Sequence, residues 1–465
     1  MRIAADLALV FAALMFLLVL GLGLPALTSR NGPFESPRQK VQALGLAMAA
    51  GLLANYAAGL LLADLRFVLL ASGAIAAASV ACAVMQPRFL APLLHLGRLR
   101  WWFAIGLVLF FCGPILFEPL RAWDARSIWF FQAKRIYYDG GLDIGRSWIN
   151  PAYGFSHVDY PKLLPMLAAQ FAYAAGFWNE YIPKAGLLAL LVPAVLGLLG
   201  AARNLGACFV FLAIAFLLGG GDMMWNGYAD AYFALYAGIA LLFWSRWLRG
   251  GAVLDLVSAI AYLGVAVNLK NEGTLFALCV CAGLLCFAPR AIEILHGKPV
   301  PAAVWLALLL PLAGYLTWTF TKMYWNAPND LALGLGSIAR ALQRLGDGSA
   351  LLIVQAFASQ SRLVAGVAAF LLAAVVGRGL GVMPATAWFP AGVATLYMAG
   401  MFLIYLSTPH GLTWHLATSV DRTLLTVAFG FFGSAFLALE AVGPAWRGSA
   451  AARATNASLQ PGIPK

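Results

Sequence analysis

Five short stretches hold most of the residues able to do chemistry: RAWDARSIWFFQAKRIYY (121–138), HVDYPKLLP (157–165), GYAD (227–230), KNEG (270–273) and TWHLATSVDR (413–422). The first sets one carboxylate, Asp124, in a band of four cations and six aromatics. The second places His157, Asp159 and Lys162 beside Pro161 and Pro165. Arg and Lys bind phosphate oxygens through charge-assisted hydrogen bonds. A neighbouring carboxylate suits removal of a proton from an attacking hydroxyl. Together these types fit group transfer with a lipid phosphate as leaving group, a reaction in which one base suffices. Structural readings stand beside this one. Asp124 could cap a helix or pair with Arg121 or Arg126, Lys270 could pair with Glu272, and His415, Asp421 and Arg422 could close a loop edge as a salt bridge.

The elements that must position these residues are membrane helices. The chain has 465 residues, 63% hydrophobic and 10% charged, with mean hydropathy +0.85. Soluble domains carry about 25% charged residues. Apolar runs near the roughly 20 residues needed to cross a bilayer recur throughout. Their solid apolarity excludes a membrane barrel, whose strands would alternate. The fold class is therefore an all-α polytopic membrane protein with about 13–14 membrane helices. Spans are expected at 4–26, 41–62, 66–86, 101–118, 184–200, 205–219, 231–245, 253–269, 273–288, 302–321, 361–377, 384–406 and 424–441, with a short run at 163–177. The net charge of +12 fits cations gathered in cytoplasmic loops, so no nucleic-acid partner is expected. Arg88, Arg98 and Arg100, Arg246 with Arg249, Arg290 with Lys298, and the tail after Glu440 mark that side. The segments 119–162, 220–230, 269–272, 322–360 and 408–423 then lie outside, where all five polar stretches fall. The two ends of the chain give a consistent count only if 163–177 does not cross. The aromatics of 121–148 and the snorkelling Lys134 and Arg135 suit interfacial helices in the first external loop. The six cysteines sit in or beside apolar runs without zinc-ligand spacing.

The ordered set of WDA before an aromatic, basic helix, then DYPKLLP, GYAD, KNEG and W-H-L-x-x-S-x-D-R resembles bacterial integral-membrane glycosyltransferases of the GT-C superfamily, which includes lipid A aminoarabinose transferases and protein O-mannosyltransferases. The resemblance covers residues 101–441 and leaves the first three spans without a counterpart. It divides the chain into N-terminal membrane helices (1–100), a GT-C-like catalytic module (101–445) and a cytoplasmic tail (446–465). It implies an inverting transfer from a polyprenyl-phosphate sugar donor to a glycan or lipid acceptor at the outer face of a bacterial inner membrane, among membrane lipids. Asp124 takes the place of the catalytic base, although Ala125 follows it where many members have Glu. Lys270, Arg422, Arg126 and Lys162 would hold the phosphate, and Asp159, Asp230, Glu272 and His415 would orient substrate. No dense D-x-D pattern occurs, so no metal and no other cofactor is expected. The alternative is a transporter or flippase of a lipid-linked sugar or other amphiphile.

Overall fold

The computed structural model describes residues 2–31, 34–86, 89, 98–142, 146–206, 208, 221–329 and 334–458, with backbone alone at 2, 3, 31, 98, 99, 146, 147, 221 and 443–458. The expected span 205–219 lies almost wholly outside the described residues, as do Arg88 and the side chains of the tail cations. Among the described residues the chain is all-helical and has no strands. Ten of the described helices are long and apolar enough to cross a membrane, or eleven if one bent pair counts as a span. The chain is a multi-pass membrane protein.

In order, the helices are α1 (Arg2–Gly21), α2 (Gly23–Thr28), α3 (Pro37–Leu62), α4 (Leu65–Val84), α5 (Arg98–Phe117), α6 (Phe130–Tyr138), α7 (Leu163–Ala175), α8 (Ala185–Ala201), α9 (Ala229–Gly250), α10 (Val253–Val267), α11 (Glu272–Cys286), α12 (Ala288–Leu295), α13 (Ala302–Trp325), α14 (Leu335–Gly346), α15 (Ser349–Ala358), α16 (Ser361–Gly379), α17 (Trp388–Ser407) and α18 (Leu412–Ser458). Two of the expected spans look different in three dimensions. The run 253–269 is a helix of 15 residues, and 273–288 is α11, bent by 80° into α12. Pro289, at the start of α12, and the non-helical Phe287, whose N–H turns to the Leu284 carbonyl at 3.0 Å, account for that corner. The stretch 413–422, expected in a loop, opens α18 instead, because nothing in TWHLATSVDR breaks a helix.

Helices α3, α8 and α9 form the interior, enclosed along nearly their whole length. Lipid offers no hydrophobic drive between apolar helices, so close approach rests on small residues. A Cβ on Gly51 would stand 2.0 Å from the Leu17 carbonyl oxygen, and one on Gly21 would stand 1.8 Å from that of Ala47. At one end of the bundle the guanidinium of Arg100 donates to the Leu199 and Ala202 carbonyls, and Arg38 donates to that of Gly200. Arg246 is no loop cation. It is buried and pairs with Glu440 at 2.8 Å. The five polar stretches cluster at the opposite end.

At that end the segment after α5 folds over the bundle. Gln132 donates to the Ser156 and His157 carbonyls at 2.5 and 3.2 Å. Arg135 lies 4.4 Å from the rings of both Trp148 and Tyr153. Helix α7 has 13 residues, roughly 20 Å at 1.5 Å per residue, too short to cross. Its flanks both meet this segment, Lys162 on Gln132 and Trp178 on Tyr137, so both its ends lie beside the segment that follows α5.

Lys162 is fully buried at the start of α7, where Nζ donates to the Gln132 side-chain oxygen at 2.9 Å and the Val158 carbonyl at 2.8 Å. Both acceptors are uncharged, and burial pushes the amine's pKa well below the usual lysine range. An unfolded lysine titrates near 10.4. Between the folded value and that point the unfolded chain binds the extra proton, so stability climbs as pH rises. Thermal unfolding in detergent, followed by tryptophan fluorescence from pH ~7 to ~10, is expected to show this slope. Lys162→Met should flatten it, and an unchanged slope would assign the titration to another group.

Candidate functional site

A cavity of about 570 Å³ opens among the ends of α9, α11, α17 and α18 and the turn after α5. Asp124 reaches it because Trp123 and Asp124 begin a helix that widens into a π-helical turn at Ala125–Trp129 before continuing as α6. Such turns re-aim side chains and cluster at functional sites. Gly227 lets GYAD lie against this turn. Its φ is +90°, and a Cβ there would come within 2.7 Å of the Ala125 Cβ. That packing brings Tyr228 and Asp230 to the cavity.

The charged groups form a chain. Arg422, on α18, pairs with Asp124 and lies 3.8 Å from Asp230. Its other nitrogen donates to the Thr418 carbonyl at 2.8 Å, and its guanidinium lies 5.1 Å from the Tyr228 ring. Asp230 accepts from Lys270 at 2.7 Å, and Lys270 meets Glu272 at 3.0 Å. Lys270 can serve both because Asn268 to Asn271 form a non-helical break between α10 and α11, so its ammonium is not tied to one helix face. Asp159 is a separate branch: it accepts from the Asn271 amide at 2.6 Å. Burial raises its carboxyl pKa, against the pull of Lys162, Lys322 and the Asn271 bond.

Of the residues expected at the site, Asp124, Asp159, Asp230, Lys270, Glu272, His415 and Arg422 all line the cavity. Two do not. Arg126 is exposed one helical step past Asp124, and Lys162 is buried behind the wall. The alternative in which His415, Asp421 and Arg422 close a loop edge as a salt bridge is not formed. On a helix, 415, 418, 419 and 422 share a face while 421 turns away, and Arg422 takes Asp124 as its partner instead. His157, singled out beside Asp159, lines the cavity. His410 and Tyr228 line it as well. His410 sits in a short Thr-Pro-His-Gly connection, a loop signal with no chemical one, and Tyr228 lies within GYAD, whose chemical signal is its carboxylate.

Much of the remaining wall is aromatic or hydroxyl-bearing, Trp123, Trp129, Tyr160, Trp414, Thr418, Ser419 and Thr423, with Ile128, Leu275, Met401 and Ile404 beside them. Tyr405 fixes part of it, its hydroxyl 2.8 Å from that of Ser419 and 3.0 Å from that of Thr423. Aromatic faces with carboxylates and hydroxyls between them can stack a sugar ring and bond its hydroxyls. The lining holds four carboxylates, Asp124, Asp159, Asp230 and Glu272, against the two cations Lys270 and Arg422. An anionic ligand must therefore compete with carboxylates for either cation. Among the described residues no three His, Cys, Asp or Glu side chains are grouped to hold a metal ion. No family model, curated protein or solved structure matches the chain.

Removing one member of a buried ion pair strands the other and costs about 3–5 kcal/mol. Lys270→Met leaves Glu272 without its cation and Asp230 with Arg422 alone, at 3.8 Å, so its thermal midpoint is expected to fall well below that of Glu272→Gln, which keeps the Lys270–Asp230 bond. Equal midpoints would show that Asp230 does not depend on Lys270.

Proposed function

We propose that the protein is an inverting glycosyltransferase that moves a sugar from a polyprenyl-phosphate donor to an acceptor hydroxyl at the outer face of a bacterial inner membrane. The observation that carries this reading is Asp124, a carboxylate at an aromatic-walled cavity in direct contact with the cation best placed for a phosphate, Arg422. The outer-face assignment rests on Arg38, Arg100, Arg249 and Arg290. All four lie at or near the bundle end away from the cavity, as cations do on the cytoplasmic side.

In this reading the acceptor hydroxyl gives its proton to Asp124 as its oxygen bonds to the anomeric carbon. The bond from that carbon to the phosphate oxygen breaks, and its electron pair stays on the departing polyprenyl phosphate. The lipid phosphate gains one negative charge in the step, and Arg422 and Lys270 are the groups at hand to meet it. Asp230 and Glu272 hold Lys270 in place, while Asp159, His415 and the ring faces of Trp129, Tyr160 and Trp414 are placed to orient the sugars.

The Arg422–Asp124 pair also favours a second reading, a carrier of a lipid-linked sugar, in which the pair would open and close with its cargo. One variant separates the two. Asp124→Asn keeps size and hydrogen bonding but removes the base, so transfer in proteoliposomes supplied with polyprenyl-phosphate sugars is expected to fall about 10²–10⁴-fold, with donor binding retained. Transfer at the unsubstituted rate would remove Asp124 from its role. Donor movement across the bilayer without transfer would establish the carrier.

A further inference from the structure

Helices α14 and α15 join α13 to α16, and neither is long enough to cross a bilayer. At 12 and 10 residues they span roughly 18 and 15 Å. Along α14, Leu335, Ile338, Leu342 and Leu345 are spaced at helical intervals and stand 87, 60, 66 and 55% exposed. They form one apolar stripe left exposed by the described residues. Leu351, Leu352 and Val354 of α15 are exposed as well.

The opposite face of α14 is already engaged. Arg340 donates to the Ser407 carbonyl at 3.1 Å. Arg344 donates to four carbonyls, those of Tyr405, Leu406, Thr408 and His410, at 2.9 to 3.2 Å. These include the last carbonyls of α17, which have no partner within their own helix. The clamp fixes the rotation of α14 and turns its leucines outward.

We infer that α14 and α15 lie in the membrane–water interface at the cavity end of the bundle and seat their apolar faces among lipid acyl chains. A helix with one charged and one fully apolar face has this preference. The occupant is lipid because the stripe continues surfaces that must meet lipid already. The exposed Phe320, Met323 and Tyr324 end the span α13, and the exposed Val364 begins the span α16, so both ends of the segment are tethered at the bilayer boundary. Exposed apolar area of this kind in water would be a liability. The seating matters for the cavity because the loop that Arg344 grips carries His410 into the lining. Lipid contact on one side of α14 therefore steadies a cavity wall on the other. This inference depends on the chain being a membrane protein and not on the reaction proposed for it.

The test places a nitroxide spin label at Leu342→Cys and, separately, at Asp347→Cys in the full-length protein. The exposed Cys281 and Cys286 are first changed to Ser, and the remaining background is read from the protein without an introduced cysteine. In vesicles of phosphatidylethanolamine and phosphatidylglycerol, position 342 should be several-fold more accessible to oxygen than to a water-soluble nickel chelate, relative to position 347. Equal chelate access at the two positions would overturn the inference. Spin–spin broadening at 342 that disappears on dilution with unlabelled protein would assign the stripe to a second copy of the chain and overturn it equally.

Discussion

Charges in an apolar interior stay only where they are paired, and here one chain of pairs draws the molecule together. The members, from Asp124 through Arg422 and Asp230 to Lys270 and Glu272, come from the turn after α5, the first turns of α18, the start of α9, the break before α11 and the first residue of α11. A charge at membrane depth costs about 2.5–3.5 kcal/mol on insertion scales. None of these elements can shift without exposing an unpaired charge to a neighbour's apolar side. The network therefore sets the relative positions of the helices that enclose the cavity, and the same groups supply its chemistry.

The same principle operates at the other end of the bundle with a different result. Arg246 and Glu440 are both buried and hold α9 to α18, and Glu440 also receives the backbone N–H groups of Arg203 and Asn204. Gln42 spans Asp255 and Ser258, tying α3 to α10 at 2.9 and 3.1 Å. The cleft beside Arg246 and Glu440 holds only about 10 Å³. A closed network secures the bundle, whereas an open one beside aromatic walls can exchange partners with a ligand. The difference between them is access, since the residue types are alike.

At the cavity end, the described part of the segment 121–162 is built by contacts between cations and aromatic rings. Arg135 packs between Trp148 and Tyr153, and Trp148 stacks on Trp325 of α13 at 6.2 Å. Arginine guanidinium groups over indole or phenol rings retain favourable electrostatics where water is scarce. The aromatic residues thus do more than mark headgroup depth: they give a polar segment a core of its own and hold Asp124's turn against Gly227.

Much of this was legible in the linear chain. Long apolar runs dictate helices because the bilayer leaves no other way to satisfy the backbone. A carboxylate or ammonium inside or beside such a run stands out by its cost, so Asp124, Asp159, Asp230, Lys270, Glu272, His415 and Arg422 could be singled out, and all seven line one cavity. Which of them pair could not be read. Arg422 and Asp124 are 298 positions apart, while Arg126 lies two residues from Asp124 and points elsewhere. That choice depends on helix rotation and on a π-helical turn that no residue type announces. Lys162 resembles a site cation by composition and is a structural one by burial, a distinction that exists only once Gln132 and Val158 have closed around it. Residue type decided which groups are costly to leave alone; tertiary packing decided which of them meet, because pairing is a matter of distance in space and only the assembled bundle sets it.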